Sequence, residues 1–290
     1  MEKSNQYTIR VISLFLFWNI SLLLFAQSKG CQQYIFFSHA YDGHSFDNRL
    51  SQINIQNYNG IFMGGDILSE ASLDRFYMSS LDSLVDLSNP MTLWALGNHD
   101  SRNGNWDWIS QFTKRETFSA YYEDQSVFIV LNTNIVPYDC EDMEKQFSMI
   151  SNVCDSIQES KNLFLFMHHI IWDGTPGLIP AWMVGHENLK YWLANCDSAN
   201  AHFYNVVYPM LVEVKNRDID VFCIGGDLGS GTKKKYQEQS SDQIEFLGCG
   251  LNQYSPNDLV LIFDNDEGGI SFGFHNLDSL VVAQKKINAQ

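Results

Sequence analysis

Carboxylate, amide and imidazole side chains follow directly after three apolar runs of this 290-residue chain. They are Asp66 after residues 61–63, Asn98, His99 and Asp100 after residues 91–96, and His168 and His169 after residues 163–167. Short apolar runs of this kind are typical of buried strands, and active-site residues of α/β proteins gather where such strands end. Carboxylate, amide and imidazole groups bind divalent metal ions, and imidazole also transfers protons near neutral pH. We therefore expect the three strand ends to form one metal-binding site.

A single polar residue at a strand end has a simpler interpretation, because Asp and Asn commonly form turns or cap helices. Three such ends together favour a site over three unrelated turns. His169 remains open between two interpretations. If the strand continued past His168, His169 would point to the opposite face, where it either contacts a substrate or is buried with a hydrogen bond.

Strand and helix patterns alternate along the chain, which predicts an α/β fold of parallel or mixed sheet covered by helices. No repeat or linker interrupts the pattern, so we expect one domain over residues 31–290. The predicted strands are 34–38, 61–63, 92–96, 118–122, 126–131, 163–167, 221–224, 244–247, 259–263 and 270–274, and the predicted helices are 46–56, 73–87, 143–157 and 206–216.

The first 30 residues are expected to lie outside this domain. Lys3 and Arg10 precede an apolar run over residues 11–26, the layout of a signal peptide with cleavage near Ala26 or of an N-terminal membrane anchor. Lipidation at Cys31 is a further alternative. We expect an exported protein, periplasmic or extracellular, that touches a membrane only through this segment.

Composition limits the partners of the domain. A formal net charge of −16 argues against nucleic-acid wrapping, which needs a basic face, so we do not expect it. The six cysteines are widely spaced and lack a CxxC pair, so a zinc–thiolate site is not expected. Cys140, Cys154 and Cys196 could supply one disulfide. In the irregular stretch 170–205, aromatic side chains either line a substrate cleft or pack the loop onto the sheets: Trp172, Trp182, Tyr191 and Trp192.

The order of these motifs resembles the calcineurin-like metallophosphoesterases over nearly all of the chain after residue 30. Gly65-Asp66, Gly97-Asn98-His99-Asp100 and His168 match the family's motifs in identity and order. The resemblance implies a two-sheet mixed β-sandwich flanked by helices. It also implies that Asp66 bridges two metal ions and that Asn98 and His168 bind the second ion. His99, supported by Asp100, would contact the phosphate or protonate the leaving oxygen.

The first and last motifs depart from the family pattern. After the first strand, His39 takes the place of the usual Asp and Tyr41 that of the usual His. In an alternative register, His39 is the motif histidine and Phe37 replaces the Asp. In the last motif, Asp227 replaces the first His and Gly229 the second.

These departures affect the two metal positions differently. The second position keeps Asp66, Asn98 and His168, with Asp227 as a fourth ligand. The first keeps Asp66 and His39, while the phenol of Tyr41, with an ordinary pKa of about 10, is a poor ligand for a divalent ion. We expect one or two divalent ions per chain, with Mn, Zn, Fe and Mg all open.

The resulting hypothesis is an exported phosphoesterase that uses metal to hydrolyse a small phosphate ester. Its rival is an exported binding module that has kept the fold without catalysis, and a purely structural metal site is a third alternative. Substrate identity and oligomeric state are left open by the sequence.

Overall fold

The computed structural model describes residues 31–69, 74–102, 106–135, 139–172, 174–179, 203–228, 235–252 and 254–289. Within these ranges the chain forms two mixed sheets packed face to face, with helices on their outer faces. This is the α/β two-sheet sandwich that the motif order implies. The predictions for residues 1–30, Trp182, Tyr191, Trp192, Cys196 and Gly229 lie outside the described residues.

The first sheet has the strand order β13-β12-β1-β4-β5. Strands β1, β4 and β5 run parallel, so their carboxyl ends share one edge, while β12 and β13 are antiparallel neighbours. A small hairpin, β2 and β3, follows β1 at that edge. The bounds are β1 Gln32–Phe37, β2 Tyr41–Asp42, β3 Ser45–Phe46, β4 Gly60–Met63, β5 Thr92–Trp94, β12 Leu259–Asp266 and β13 Gly269–Asn276.

The second sheet has the order β10-β11-β9-β8-β7-β6. Its four central strands run parallel and its two edge strands are antiparallel. The carboxyl ends of β8 and β9 therefore also lie at one edge. The bounds are β6 Ser119–Glu123, β7 Ser126–Val130, β8 Asn162–Met167, β9 Asp220–Gly225, β10 Lys235–Gln239 and β11 Glu245–Cys249.

The core between the sheets is mostly aromatic. Along β1, Tyr34 and Phe36 point toward the second sheet, while Ile35 and Phe37 point toward the helices. Phe36 stacks on Phe166 of β8 with ring centroids 6.1 Å apart. Each fully buried side chain of this size contributes about 1.5–3 kcal/mol before entropy costs. Because both faces of the strands are buried, they appear in the sequence as continuous apolar runs.

Helices cover the outer faces, and three of them correspond to predicted helices. They are α1 Arg75–Val85, α2 Asn98–Ser101, α3 Trp106–Thr113, α4 Cys140–Ser156, α5 Tyr208–Lys215, which follows a π-helical turn at Phe203–Val207, and α6 Leu277–Asn288. Asp139 caps α4, whose buried face carries Met143, Ile150 and Val153. Among the described residues, none of the helices has both the length and the apolar character needed to cross a bilayer.

The helix predicted over residues 46–56 is wrong. The chain instead forms two short 3₁₀ turns, Asn48–Gln52 and Ile55–Asn57, with extended backbone at Ile53 between them. The carboxylate of Asp47 accepts the N–H of Arg49 at 2.9 Å and also pairs with its guanidinium. Arg49 is buried and also pairs with Asp258, which attaches the first turn to the rest of the domain. The extended backbone at Ile53 then ends the helical conformation.

Candidate metal centre

The structure brings the predicted ligands Asp66, Asn98, His168 and Asp227 together where strands from both sheets end. Nε2 of His168 lies 3.5 Å from Oδ1 of Asp66 and 3.9 Å from Oδ1 of Asp227. The same nitrogen lies 3.3 Å from Oδ1 of Asn98. These side chains come from the ends of β4, β5, β8 and β9, as expected from parallel strands whose carboxyl ends converge.

The backbone fixes the orientation of His168. Its Nδ1–H donates to the carbonyl of Gly64 at 2.8 Å, so a neutral ring presents the Nε2 lone pair to the site. Nε2 then faces the side-chain amide of Asn98, whose Oδ1 can bind a cation. Burial lowers the pKa of His168, but Asp66 and Asp227 outweigh it and raise the pKa overall. Both observations indicate a place for positive charge.

His39 and Asp66 hold left-handed backbone conformations, with φ of 52° and 54°. For residues other than glycine this costs about 1–2 kcal/mol each, and such strain is typical of functional sites. His39 N–H donates to the carbonyl of Gly65 at 2.8 Å, which holds the loop after β1 against the loop after β4. Nε2 of His39 lies 3.8 Å from Oδ2 of Asp66, and burial lowers the pKa of His39 to about 4. A neutral, buried imidazole beside a carboxylate is suited to binding metal.

Both registers considered for the first motif place His39 at the site. Phe37, the alternative position of the lost Asp, is fully buried in the core under the helices and offers no ligand. The structure thus favours His39 as the group that this motif contributes.

Tyr41, His99 and Arg102 form the solvent side of the site. The ring of Tyr41 stacks on the imidazole of His99 with centroids 4.5 Å apart and an angle of 16° between the planes. Nη2 of Arg102 lies 3.3 Å from Nε2 of His99, which lies 4.0 Å from Oδ2 of Asp66. Burial, joined by Arg102, lowers the pKa of His99, although Asp66 opposes the shift. Burial and Asp66 raise the pKa of Tyr41, which keeps its phenol protonated at neutral pH.

Sequence reasoning did not single out Arg102. Its position three residues after His99 could have indicated it, because residues three apart on a helical turn lie on the same face. Arg102 ends the short helix α2, and its guanidinium lies next to the ring of His99.

The prediction that Asp100 supports His99 is wrong. The carboxylate of Asp100 is fully buried and holds the Asp66 loop in place, while Nδ1 of His99 has no hydrogen-bond partner among the described residues. Burial and neighbouring Asp66 raise the pKa of Asp100 to about 7. Its carboxylate accepts N–H groups from Asp66 at 2.6 Å, Ile67 at 2.8 Å, Leu68 at 2.9 Å, Gly97 at 2.8 Å and the indole of Trp94 at 3.3 Å.

Close backbone approach is built into this loop pair. A Cβ at Gly97 would lie 2.1 Å from Oδ1 of Asp66, so only glycine leaves room for that carboxylate. The same oxygen accepts the backbone N–H of His99 at 2.8 Å. The glycine of the Gly97-Asn98-His99 motif therefore makes room for the carboxylate of Asp66.

The donor set fits a divalent metal ion. Asp66 and Asp227 are 1% and 2% exposed, and with His39 they offer ligand atoms that all lie within 4.8 Å of one another. Burying two carboxylates this close together is costly unless a cation compensates them. Nitrogen and oxygen donors in this mixture suit first-row ions such as Mn²⁺, Fe²⁺ or Zn²⁺.

His169 lies on the same side of the molecule as His168. Its Nδ1 is 2.7 Å from Oγ1 of Thr133, and its ring meets that of His168 edge to face with centroids 4.7 Å apart. The expectation of opposite faces would have required β8 to continue, and β8 ends at Met167.

No protein-family model and no curated protein sequence matches this chain. Solved structures similar to it include an uncharacterised protein of Streptococcus pneumoniae described as a phosphoesterase, at 12% identity and TM-score 0.40, over 87% of this chain and 92% of that one. A 5′-nucleotidase precursor of Thermus thermophilus is similar at 9% identity and TM-score 0.42, over 89% of this chain and 59% of that one. An archaeal phosphodiesterase is similar at 13% identity and TM-score 0.39, over 84% of this chain and 99% of that one. At such low identities and TM-scores, what this chain does has to come from its own residues.

Proposed function

We propose that this protein is a metal-dependent phosphoesterase that hydrolyses small phosphate esters. The observation that carries the proposal is the arrangement of the site: buried carboxylates, an amide and imidazoles converge on one point, and His99 and Arg102 border that point on the solvent side. The inner groups suit a cation and the outer groups suit an anion. A phosphate ester bound to metal needs both.

The inner residues would hold the metal. Asp66, Asn98, His168 and Asp227 supply oxygen and nitrogen ligands, and His39 adds an imidazole beside Oδ2 of Asp66. A divalent ion held there would supply a Lewis acid for the phosphoryl oxygens and a water molecule of lowered pKa. Asp100 keeps Asp66 in position through the N–H groups of the Asp66 loop.

The outer residues would receive the phosphate group. Arg102 presents a planar guanidinium whose N–H groups match phosphate oxygens. Because a guanidinium only donates, Nε2 of His99 is the acceptor in their 3.3 Å contact and the proton of the neutral ring lies on Nδ1. A bound phosphate draws the guanidinium to itself, and its negative charge raises the pKa of His99. Substrate binding thereby favours the imidazolium, which can protonate the leaving oxygen.

The proposal includes export of the protein. Cys140 is disulfide-bonded, and disulfides form mainly in oxidising compartments. Together with the basic and apolar first 26 residues, this supports a periplasmic or extracellular location. Mass spectrometry of protein from an exporting host, released or membrane-bound, tests this part separately.

The central experiment compares wild-type protein with Asp66→Asn, His99→Gln and a matched control, His275→Gln, whose side chain on β13 is exposed. All four are purified in parallel, analysed for metal content and assayed on an aryl phosphate with Mn²⁺. His99→Gln is expected to lose about 10²–10⁴-fold in rate while keeping its metal, because it removes proton transfer and not a ligand. Asp66→Asn is expected to lose metal and activity together. Equal residual rates in all four proteins would leave the non-catalytic binding module standing.

A further inference from the structure

Two sets of buried donors at the metal centre share one member. His39, Asp66 and Asp227 form the first set, and His168, His169 and Asp227 form the second. Within each set the ligand atoms all lie within 4.8 Å of one another. Asp227 is common to both, and no residue of either set is more than 6% exposed.

We infer that Asp227 is shared between two metal positions and that His169 is a ligand of the second. The inference rests on the proposed function only in taking this site to bind divalent ions. In this arrangement Asp227 stands where the family pattern has the first histidine of its last motif. His169, at the end of β8, supplies an imidazole to the second position in its place.

The two positions are separated by the carboxylate of Asp66. His39 approaches Oδ2 of Asp66 at 3.8 Å, whereas His168 approaches Oδ1 at 3.5 Å. Imidazoles that face different oxygens of one carboxylate mark one position on each side of it. Pairs of ions in two-metal sites lie about 3.5–4 Å apart. Asp227 belongs to both sets of donors, so its carboxylate is within reach of both metal positions.

The backbone explains how Asp227 reaches the second position. The N–H groups of Gly226 and Asp227 both donate to the carbonyl of His168, at 3.0 Å and 2.9 Å. This clamp joins the end of β9 to the end of β8. It also ends the alternation of side chains along β8, so His168 and His169 both stay next to Asp227.

Thr133 fixes the ring of His169. Oγ1 of Thr133 accepts the backbone N–H of His169 at 3.2 Å and lies 2.7 Å from its Nδ1. In the tautomer whose Nδ1–H donates to this hydroxyl, Nε2 of His169 carries the lone pair and is the atom that would bind a metal ion. A second-sphere hydrogen bond of this kind sets the orientation and basicity of a metal-binding histidine. Thr133 is thus a positioning residue for the second metal position.

Mn²⁺ titration of the full chain tests the inference without using turnover. Calorimetry counts the ions and gives their affinities, and electron paramagnetic resonance detects a magnetically coupled Mn²⁺ pair. Wild type and the control His275→Gln are expected to bind two ions per chain and to show the coupled signal. His169→Gln is expected to bind the second ion 10- to 100-fold more weakly, or not at all, and to lose the coupling. Thr133→Val, which keeps His169, should weaken the second ion alone.

Two results would overturn the inference: one ion per wild-type chain, or a folded His169→Gln variant that binds two ions with unchanged affinities. If His169→Gln fails to fold, the same comparison is made with Thr133→Val. Asp227→Asn should weaken both ions if the carboxylate is shared, and weakening of one ion alone contradicts the sharing. Wild type that binds two ions without hydrolysing an aryl phosphate would reject the proposed function and leave this inference intact.

Discussion

Two groups of buried carboxylates in this protein are compensated in different ways. Around Arg49, the carboxylates of Asp47 and Asp258 are 2% and 0% exposed, and both pair with the guanidinium. Asp278 adds a third contact to Arg49 at 2.9 Å. At the metal centre, Asp66 and Asp227 are equally buried, but the groups around them are imidazoles and an amide.

The difference lies in where the positive charge comes from. The Arg49 cluster carries its own cation, and these contacts raise the pKa of Arg49 even though burial lowers it. At the candidate metal centre, imidazole and amide groups present lone pairs next to the carboxylates. In the Arg49 cluster, the guanidinium presents N–H donors to them. In a cluster of the first kind the buried carboxylates are compensated within the protein itself, whereas in one of the second kind their burial remains costly without a cation from solution.

The largest effect that separates the clusters is expected from Arg49→Met. It leaves Asp47 and Asp258 buried without their cation, which should cost about 3–5 kcal/mol of unfolding free energy. Urea unfolding measures the loss, with Arg75→Met on the exposed start of α1 as the matched control, expected within about 0.5 kcal/mol of wild type. A loss no larger than that of the control would show that the Arg49 cluster is not compensated as described.

Adding metal should act on the other cluster alone. Mn²⁺ at 100 times its dissociation constant is expected to stabilise the wild-type apoprotein by about 2.7 kcal/mol, because it binds the folded state only. Asp66→Asn should show little of this gain, and Arg75→Met should show all of it. Thermal unfolding with Mn²⁺ and with EDTA gives the comparison. An equal gain in Asp66→Asn would place the ion elsewhere.

Removing one charge from each cluster should change stability in opposite directions. In EDTA, Asp66→Asn relieves repulsion from Asp227, whose ligand oxygen lies within 4.8 Å, and should stabilise the apoprotein by on the order of 1–3 kcal/mol. Asn also suits the left-handed backbone at this position. Asp258→Asn removes a partner of Arg49 and should destabilise the protein. Urea unfolding of both variants in one buffer decides, and shifts of the same sign would contradict the comparison.

The smallest expected effect is a pH dependence of the apoprotein that comes from His39. Burial lowers the pKa of His39 in the folded state to about 4, from 6.5. Asp66 and Asp227 oppose this shift, while His168 and His99 add to it. Since the unfolded chain takes up the proton first, stability due to neutral His39 is present above pH 6.5 and is lost as the pH falls toward 4.

His39→Asn isolates this contribution, because Asn tolerates the left-handed backbone and does not titrate there. The measurement is the unfolding free energy of both proteins in EDTA between pH 7 and 4. Wild type should lose stability relative to His39→Asn over this interval. A pH-independent difference would show that His39 titrates normally.

The sequence was most informative where a polar residue follows a buried strand. Asp66, Asn98, His168 and Asp227 were predicted to meet, because the carboxyl ends of parallel strands share an edge, and the structure brings them together. The strands themselves were predictable because both faces are buried and the runs are continuously apolar.

The remaining features depend on contacts distant in the chain. The 3₁₀ turn at Asn48–Gln52 carries Arg49, which pairs with Asp47 next to the turn and with Asp258, 209 residues away. The family resemblance implied that Asp100 supports His99, yet its hydrogen bonds go to the Asp66 loop. The sequence left the orientation of His169 open, because it depended on whether the strand continued past His168, and β8 ends at Met167. Tertiary hydrogen bonding decided each of these cases over local sequence.

Gly226 gives the metal centre a mechanical property. A Cβ at this position would lie 1.8 Å from the carbonyl oxygen of Gly64, so the two sheets touch here through bare main chain. Asp227 follows Gly226 directly and Asp66 lies two residues after Gly64, so this backbone contact limits how the two carboxylate-bearing loops approach each other. For a divalent ion bound between these carboxylates, we expect main-chain packing as well as ligand chemistry to influence which ionic radius fits.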